Sequence, residues 1–350
     1  MATIVMERLG RVFISLQQIR QLPQLLAPAA PPSMPGTVPD GEVPPYFRER
    51  YVSTGYRPLG RSWRYYFLSL FRRHNETVNT WTHLLAFLAF LLRLRHLATS
   101  VDFAGDAHTW PLLVLLTSAL AYSACSAAAH LLGGKSELLH YAFFFLDYVG
   151  VAQYQYASAL AHWYYAAQEG GAFMPAAAAF SCLSCLGCCY GKLCSHRRPP
   201  RIRKLCQVAP SAMSYVWASG PLAARLLAWQ PDDAGVAFHG GQVAFFLGSA
   251  FFFTVPLLER RLPGRVDFLG QSHQLFHVLL SCCTWCQVEA ARLDYLGRRP
   301  LYAPLHRRGD AARYVGLYAA TLAGCGLIAA VMLGRVRRLL GEKGGGDKDR

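Results

Sequence analysis

Apolar positions along this chain gather into eight long runs, at 78–98, 110–133, 138–160, 172–194, 206–228, 240–258, 271–291 and 315–335. Each approaches the twenty or so residues that an α-helix needs to cross about 30 Å of hydrocarbon. The pattern predicts an all-α membrane protein with its helical bundle over residues 78–335. The first run carries Arg93 and Arg95, expected to stretch toward the far interface, and the fifth holds Pro210, Pro221 and Arg225, which blur its ends. Before the runs, prolines at 23, 28, 31, 32, 35, 39, 44 and 45 forbid a continuous helix and predict a flexible tail over residues 1–45. Over 46–77, Trp63, Tyr66, Phe67, Leu70 and Phe71 recur at helical spacing beside Arg64, Arg72 and Arg73, the pattern of an amphipathic helix lying in the interface. Residues 336–350 form a basic tail.

Composition agrees with lipid as the solvent: 53% of residues are hydrophobic and 16% charged, against roughly one quarter charged in soluble domains. The net charge of +15 sits at the ends of apolar segments, so the acidic partner it implies is a bilayer surface and not nucleic acid. Arg197, Arg198, Arg201, Arg203 and Lys204 crowd one short loop, whereas Asp102, Asp106, Glu169, Asp232 and Asp233 mark loops of the opposite parity. Alternation then places the N-terminus in the cytosol. The loop over 292–314, with Arg292, Arg298, Arg299, Arg307, Arg308 and Arg313, runs against that assignment. The eleven cysteines lie in apolar runs or beside basic ones and read as free thiols. The sequon Asn75-Glu76-Thr77 falls hard against the membrane on the cytosolic side and is expected to stay unmodified.

Polar groups inside spanning helices are costly, so each calls for a reason. His273 and His277 stand four apart and share one helix face, as two ligands of one metal would. His130 lies about 5 Å from the cytosolic boundary with Ser126 a turn deeper, Asp147 about 13 Å in, and His273 and His277 roughly 3 to 10 Å in, at 1.5 Å per residue. Three imidazoles and a carboxylate from three helices thus meet in one leaflet and suit Zn²⁺, with the carboxylate bound directly or through a water. Such a centre activates water against amides or esters, with Asp147 as general base and Ser126 as a hydrogen-bond donor to that water. The plainer alternative is that these groups only tie helices together, at about 0.6 to 2 kcal/mol each. Their shared depth favours zinc. The run Cys182, Cys185, Cys188 and Cys189 reads as small-residue helix packing, and His83, His140 and His162 as histidines near helix ends. The aromatic residues of the third run either pack the core or line a slot for a flat apolar ligand.

The segments SACSAAAH with Ser126 and His130, FFFLDYVG with Asp147, GQSHQLFH with His273 and His277, and HNETVNTWTHLL with Glu76, Asn79 and His83 together resemble the progestin and adipoQ receptor family, over about residues 43–335. EVPPYF, GYRPLGRSWRYYF and FLDYVGVAQYQYASALAH, with the eighth helix, look most like its membrane progestin receptor branch. The resemblance implies a seven-transmembrane bundle of the adiponectin-receptor type plus an eighth C-terminal helix, with a cytosolic N-terminus. It implies a plasma-membrane receptor for progesterone and related steroids that signals through an inhibitory G protein, with a part in oocyte maturation. It also implies zinc held by His130, His273 and His277 and by a water on Asp147, beside Ser126. A second reading is a zinc-dependent, ceramidase-like lipid amidohydrolase, and a third is a purely structural membrane protein.

Overall fold

The structure, a computed structural model, describes residues 36–169, 171–194, 200–227, 233–306 and 308–346. Most of the proline-rich tail expected over 1–45 lies outside them. Among the described residues regular structure is helical, apart from one antiparallel bridge between Val38 and Tyr56. The helices are α1 (Trp63–Ser69), α2 (Thr77–Leu97), α3 (Trp110–Leu132), α4 (Glu137–Tyr165), α5 (Phe173–Leu193), α6 (Pro200–Leu227), α7 (Val236–Thr254), α8 (Leu257–Arg261), α9 (Ser272–Gly297), α10 (Arg299–Tyr302) and α11 (Arg308–Gly346). The eight long ones follow the eight apolar runs. By length and composition, the segments Thr77–Leu97, Ala107–Leu132, Phe173–Leu193, Val236–Thr254 and Gly309–Gly341 can cross a membrane.

Local chemistry explains where the helices begin and end. Ser136 caps α4 by accepting the Leu139 N–H, and Asp106 caps the short 3₁₀ turn that leads into α3. α7 stops at Thr254, four residues short of the expected end, because Val255 precedes Pro256 and takes an extended conformation. α6 carries Pro210 and Pro221 within a continuous helix. α4 runs to Tyr165 instead of 160, since Trp163, Tyr164 and Tyr165 bury against Tyr302 and the start of α3.

α4 is the central post, packed by α3, α5, α6, α9 and α11. That shielding lets it carry Asp147, Gln153 and His162 buried among protein groups, where lipid would make them costly. α3 and α4 touch closely: a Cβ on Gly150 would come within 3.0 Å of the Tyr122 Cα. Cys185 and Cys189 bury with Cys325 and Met332 in the seam of α4, α5 and α11. The cysteine run is therefore packing surface, and all eleven thiols are free.

At one end, residues 36–62 form a cap under the bundle, with Val43, Val52 and Tyr56 as its core. The cap begins well before residue 45, because Val38 pairs with Tyr56. Asp267 holds it in place: its Oδ2 accepts from the N–H and O–H of both Ser53 and Thr54 at 2.8 to 3.1 Å. Asn75 of the sequon is buried behind this cap, its N–H donating to the Gly55 carbonyl at 3.0 Å. α1 presents Trp63, Phe67 and the following Phe71 outward while Tyr66 faces in, as an interfacial helix does.

At the other end three arginines of the 292–314 segment lie against acids. Arg299 pairs with Asp106, Arg292 with Glu289, and Arg298 donates to the Tyr165 carbonyl with Asp233 at 3.9 Å. Arg307 lies outside the described residues. Arg93 departs from expectation: it does not extend to the interface but meets Glu289 of α9, Nη2 to Oε2 at 2.6 Å. Two opposed charges between helices cost less than one charge dragged through lipid.

Candidate metal centre

Two helix termini aim the histidines. At the start of α9, Gly270 takes φ +98°, a conformation open to glycine, and turns the chain into the helix. Gln271 and Gln274 then close a capping box, and Glu259 of α8 receives the Ser272 N–H and O–H at 2.6 Å each. His273 and His277 fall in the first two turns that these contacts fix. His130 sits in the last turn of α3, whose end is held from below by Arg57, donating to the His130 carbonyl at 2.7 Å. One ligand atom from each of His130, His273 and His277 lies within 4.8 Å of the others. Their ring centroids are 4.4 to 5.3 Å apart. Three residues separated by as many as 147 positions thus converge from two helices.

Asp147 and Ser126 stand beside this set. Asp147 is outside the group of mutually close ligand atoms, it is buried, and the Ser126 side chain bonds to it. Its Oδ1 has no partner. A carboxylate oxygen left open in a buried place on the His130 side of the set is a fitting seat for a water, the indirect of the two arrangements weighed from the sequence.

α2 contributes residues that the sequence reading did not place at the centre. Glu76 Oε2 lies 2.7 Å from His130 Nδ1 and accepts from Asn79 Nδ2 at 2.7 Å. Burial alone would raise the Glu76 carboxyl, but the His130 ring and the Asn79 amide against it hold it well below the usual carboxylate range. Thr82 Oγ1 lies 3.1 Å from His277 Nδ1. His83 is buried with its ring centroid 4.0 Å from that of His277, so it belongs to this cluster and not to the interface. The spacing of 76, 79 and 83, three then four, was the available signal, since it puts all three on one helical face. His140 and His162 each bond a backbone carbonyl, Gly133 and Ala218 respectively.

The donor set fits zinc: three neutral-capable imidazoles, a nearby carboxylate with a free oxygen, and a second layer of hydrogen bonds on two of the rings. On the cap side, a cavity of about 40 Å³ reaches Glu76 and His130 and is bounded by Glu49, Arg57 and His140. That is room for about one water molecule.

Residues 71–288 match the haemolysin-III related family. Membrane progestin receptor alpha-B of Danio rerio is 50% identical over 98% of this chain and 99% of its own length. Membrane progestin receptor alpha of Cynoscion nebulosus is likewise 50% identical, over 98% of this chain and the whole of that protein. Membrane progestin receptor beta of Homo sapiens is 46% identical over 95% and 96%. The opening residues MATIVMERLGRVFISLQQIRQLPQLL, outside the described residues, resemble the beta type, while identity over the full length is spread across both types. With its apolar helices and these membrane relatives, the protein is a multi-pass membrane protein. The matched segment, which takes in every histidine and carboxylate of the cluster, shows that the chain belongs to the haemolysin-III related family, the family of the progestin and adipoQ receptors.

Proposed function

We propose that this protein is a plasma-membrane receptor for progesterone and related steroids, spanning the bilayer as a seven-helix bundle with α11 as an eighth helix and its N-terminus in the cytosol. The observation that carries this is similarity along nearly the whole chain to proteins named membrane progestin receptors. A flat apolar ligand partitions into the bilayer, reaches the bundle from there, and favours one of two packings by its differential affinity. The cap end, with Arg260 and Arg261 after α7 and Arg203 and Lys204 on α6, is then the basic face toward the cytosol that an inhibitory G protein would meet.

In this reading His130, His273 and His277 would hold Zn²⁺, with a water on Asp147 and Ser126. Bound zinc supplies Lewis acidity at that place. Asp147 orients the water and has an open oxygen to take a proton; Ser126 holds the carboxylate in register. Those two residues support a second reading, a ceramidase-like lipid amidohydrolase, which the relatives' names do not favour.

One experiment addresses both. Purified, zinc-supplemented protein in lipid nanodiscs is expected to bind radiolabelled progesterone saturably, and Asp147→Asn to retain that binding. Fatty-acid release from ceramide, lost in Asp147→Asn and on chelation, in a protein without saturable steroid binding would hand the function to the hydrolase. Absence of both activities would overturn both.

A further inference from the structure

α2 supplies no member of the three-histidine set, yet its first two turns touch two of the three rings from behind. The protons on this shelf can be followed one by one. Glu76 receives the Asn79 amide N–H and, ionised, has only acceptor capacity. Across the 2.7 Å contact the proton therefore sits on His130 Nδ1, which leaves Nε2 as the ring's lone pair. Thr82 Oγ1 lies 2.8 Å from the Asn79 carbonyl and 3.1 Å from His277 Nδ1; with its one hydroxyl proton on the carbonyl it accepts from His277, and His277 Nδ1 then carries the ring's proton. In that arrangement both rings take the same tautomer, with Nε2 left for a metal.

We propose that Glu76 is the positioning residue of this centre, fixing the tautomer and orientation of His130, and that Thr82 does the same for His277, with Asn79 joining the two. This rests on the reading of the three imidazoles as a zinc centre. A carboxylate or hydroxyl behind a ligating imidazole raises its basicity and stops the ring from turning, and its loss commonly weakens metal binding by about 10- to 100-fold. The arrangement explains why a half-buried acid belongs at the entry of a membrane helix: its charge is offset by the ring it steers. It also accounts for Asn79, whose side-chain N–H and backbone carbonyl serve opposite branches of one network.

The test uses the full chain in detergent micelles with zinc alone as the probe. Affinity and stoichiometry are read by chelator competition and metal analysis, and the ligand shell by X-ray absorption at the zinc edge. Glu76→Gln preserves volume, and its added N–H₂ can turn to the cavity beside Glu76 and His130, so folding is retained. It is expected to weaken zinc binding about tenfold, Glu76→Ala about 10- to 100-fold, and Thr82→Val about tenfold, with fewer or more disordered imidazoles in the absorption spectrum. Glu289→Gln, remote from the centre, serves as a control for stability loss alone and leaves zinc affinity as in wild type. Affinities of the Glu76 and Thr82 variants within about threefold of wild type, with an unchanged ligand shell, would overturn the positioning role while leaving the zinc centre standing. Wild-type protein that takes up no zinc would overturn the centre itself, and the positioning role with it.

Discussion

Two sets of charges between the helices of this bundle are met by opposite charge. Arg93 and Glu289 are largely buried, Arg225 is clasped by Asp294 and Asp233, and His239 bonds Asp294 at 2.9 Å. Removing one member of such a pair strands the other, at a cost of about 3 to 5 kcal/mol. Glu289→Ala is therefore expected to lower unfolding stability in micelles by about that much, while Arg93→Met with Glu289→Leu returns close to wild type. A neutral Glu289→Ala in chemical unfolding would show that Arg93 reaches the interface after all. At this scale the convergence of His130, His273 and His277 was legible, because ionisable groups inside apolar runs stand out; Asp147 carried the same signal but lies outside the group of close ligand atoms. Glu76 and Glu289 were not legible, since acids near helix ends are ordinary and only their partners make them special.

Helices were predicted where apolar runs are long, and their ends moved wherever a local signal outweighed the run. Pro256 shortened α7, and the aromatic cluster at Trp163–Tyr165 lengthened α4. The cap over residues 36–62 was read as tail and interfacial segment, since its few apolar residues show no period. Its order comes from Asp267, more than 200 positions away, gathering Ser53 and Thr54. Hydrogen bonds to a charged acceptor contribute about 1.5 to 3 kcal/mol each, so losing the four that Asp267 accepts is expected to raise amide exchange over the cap by at least about 100-fold in Asp267→Ala. Unchanged protection at Ser53 and Thr54 would show that the apolar core of the cap holds it without the latch.

For the molecule as a whole, any ligand that binds the folded state alone adds stability in proportion to its occupancy. Zinc or progesterone at 100 times its dissociation constant is expected to contribute about 2.7 kcal/mol, seen as a raised melting temperature in nanodiscs. His273→Ala should abolish the zinc increment, and equal melting of chelated and zinc-loaded wild type would remove the centre from consideration. The amino-acid order alone determined that this is a helical membrane protein, roughly where its helices run, and which polar side chains demand an explanation, since hydropathy and helical period are properties of contiguous residues. It did not determine which helix sits at the centre, which acid opposes which arginine, or that α2 backs the imidazoles of α3 and α9. Those are matters of how faces far apart in the chain are brought together, and only packing in three dimensions decides them.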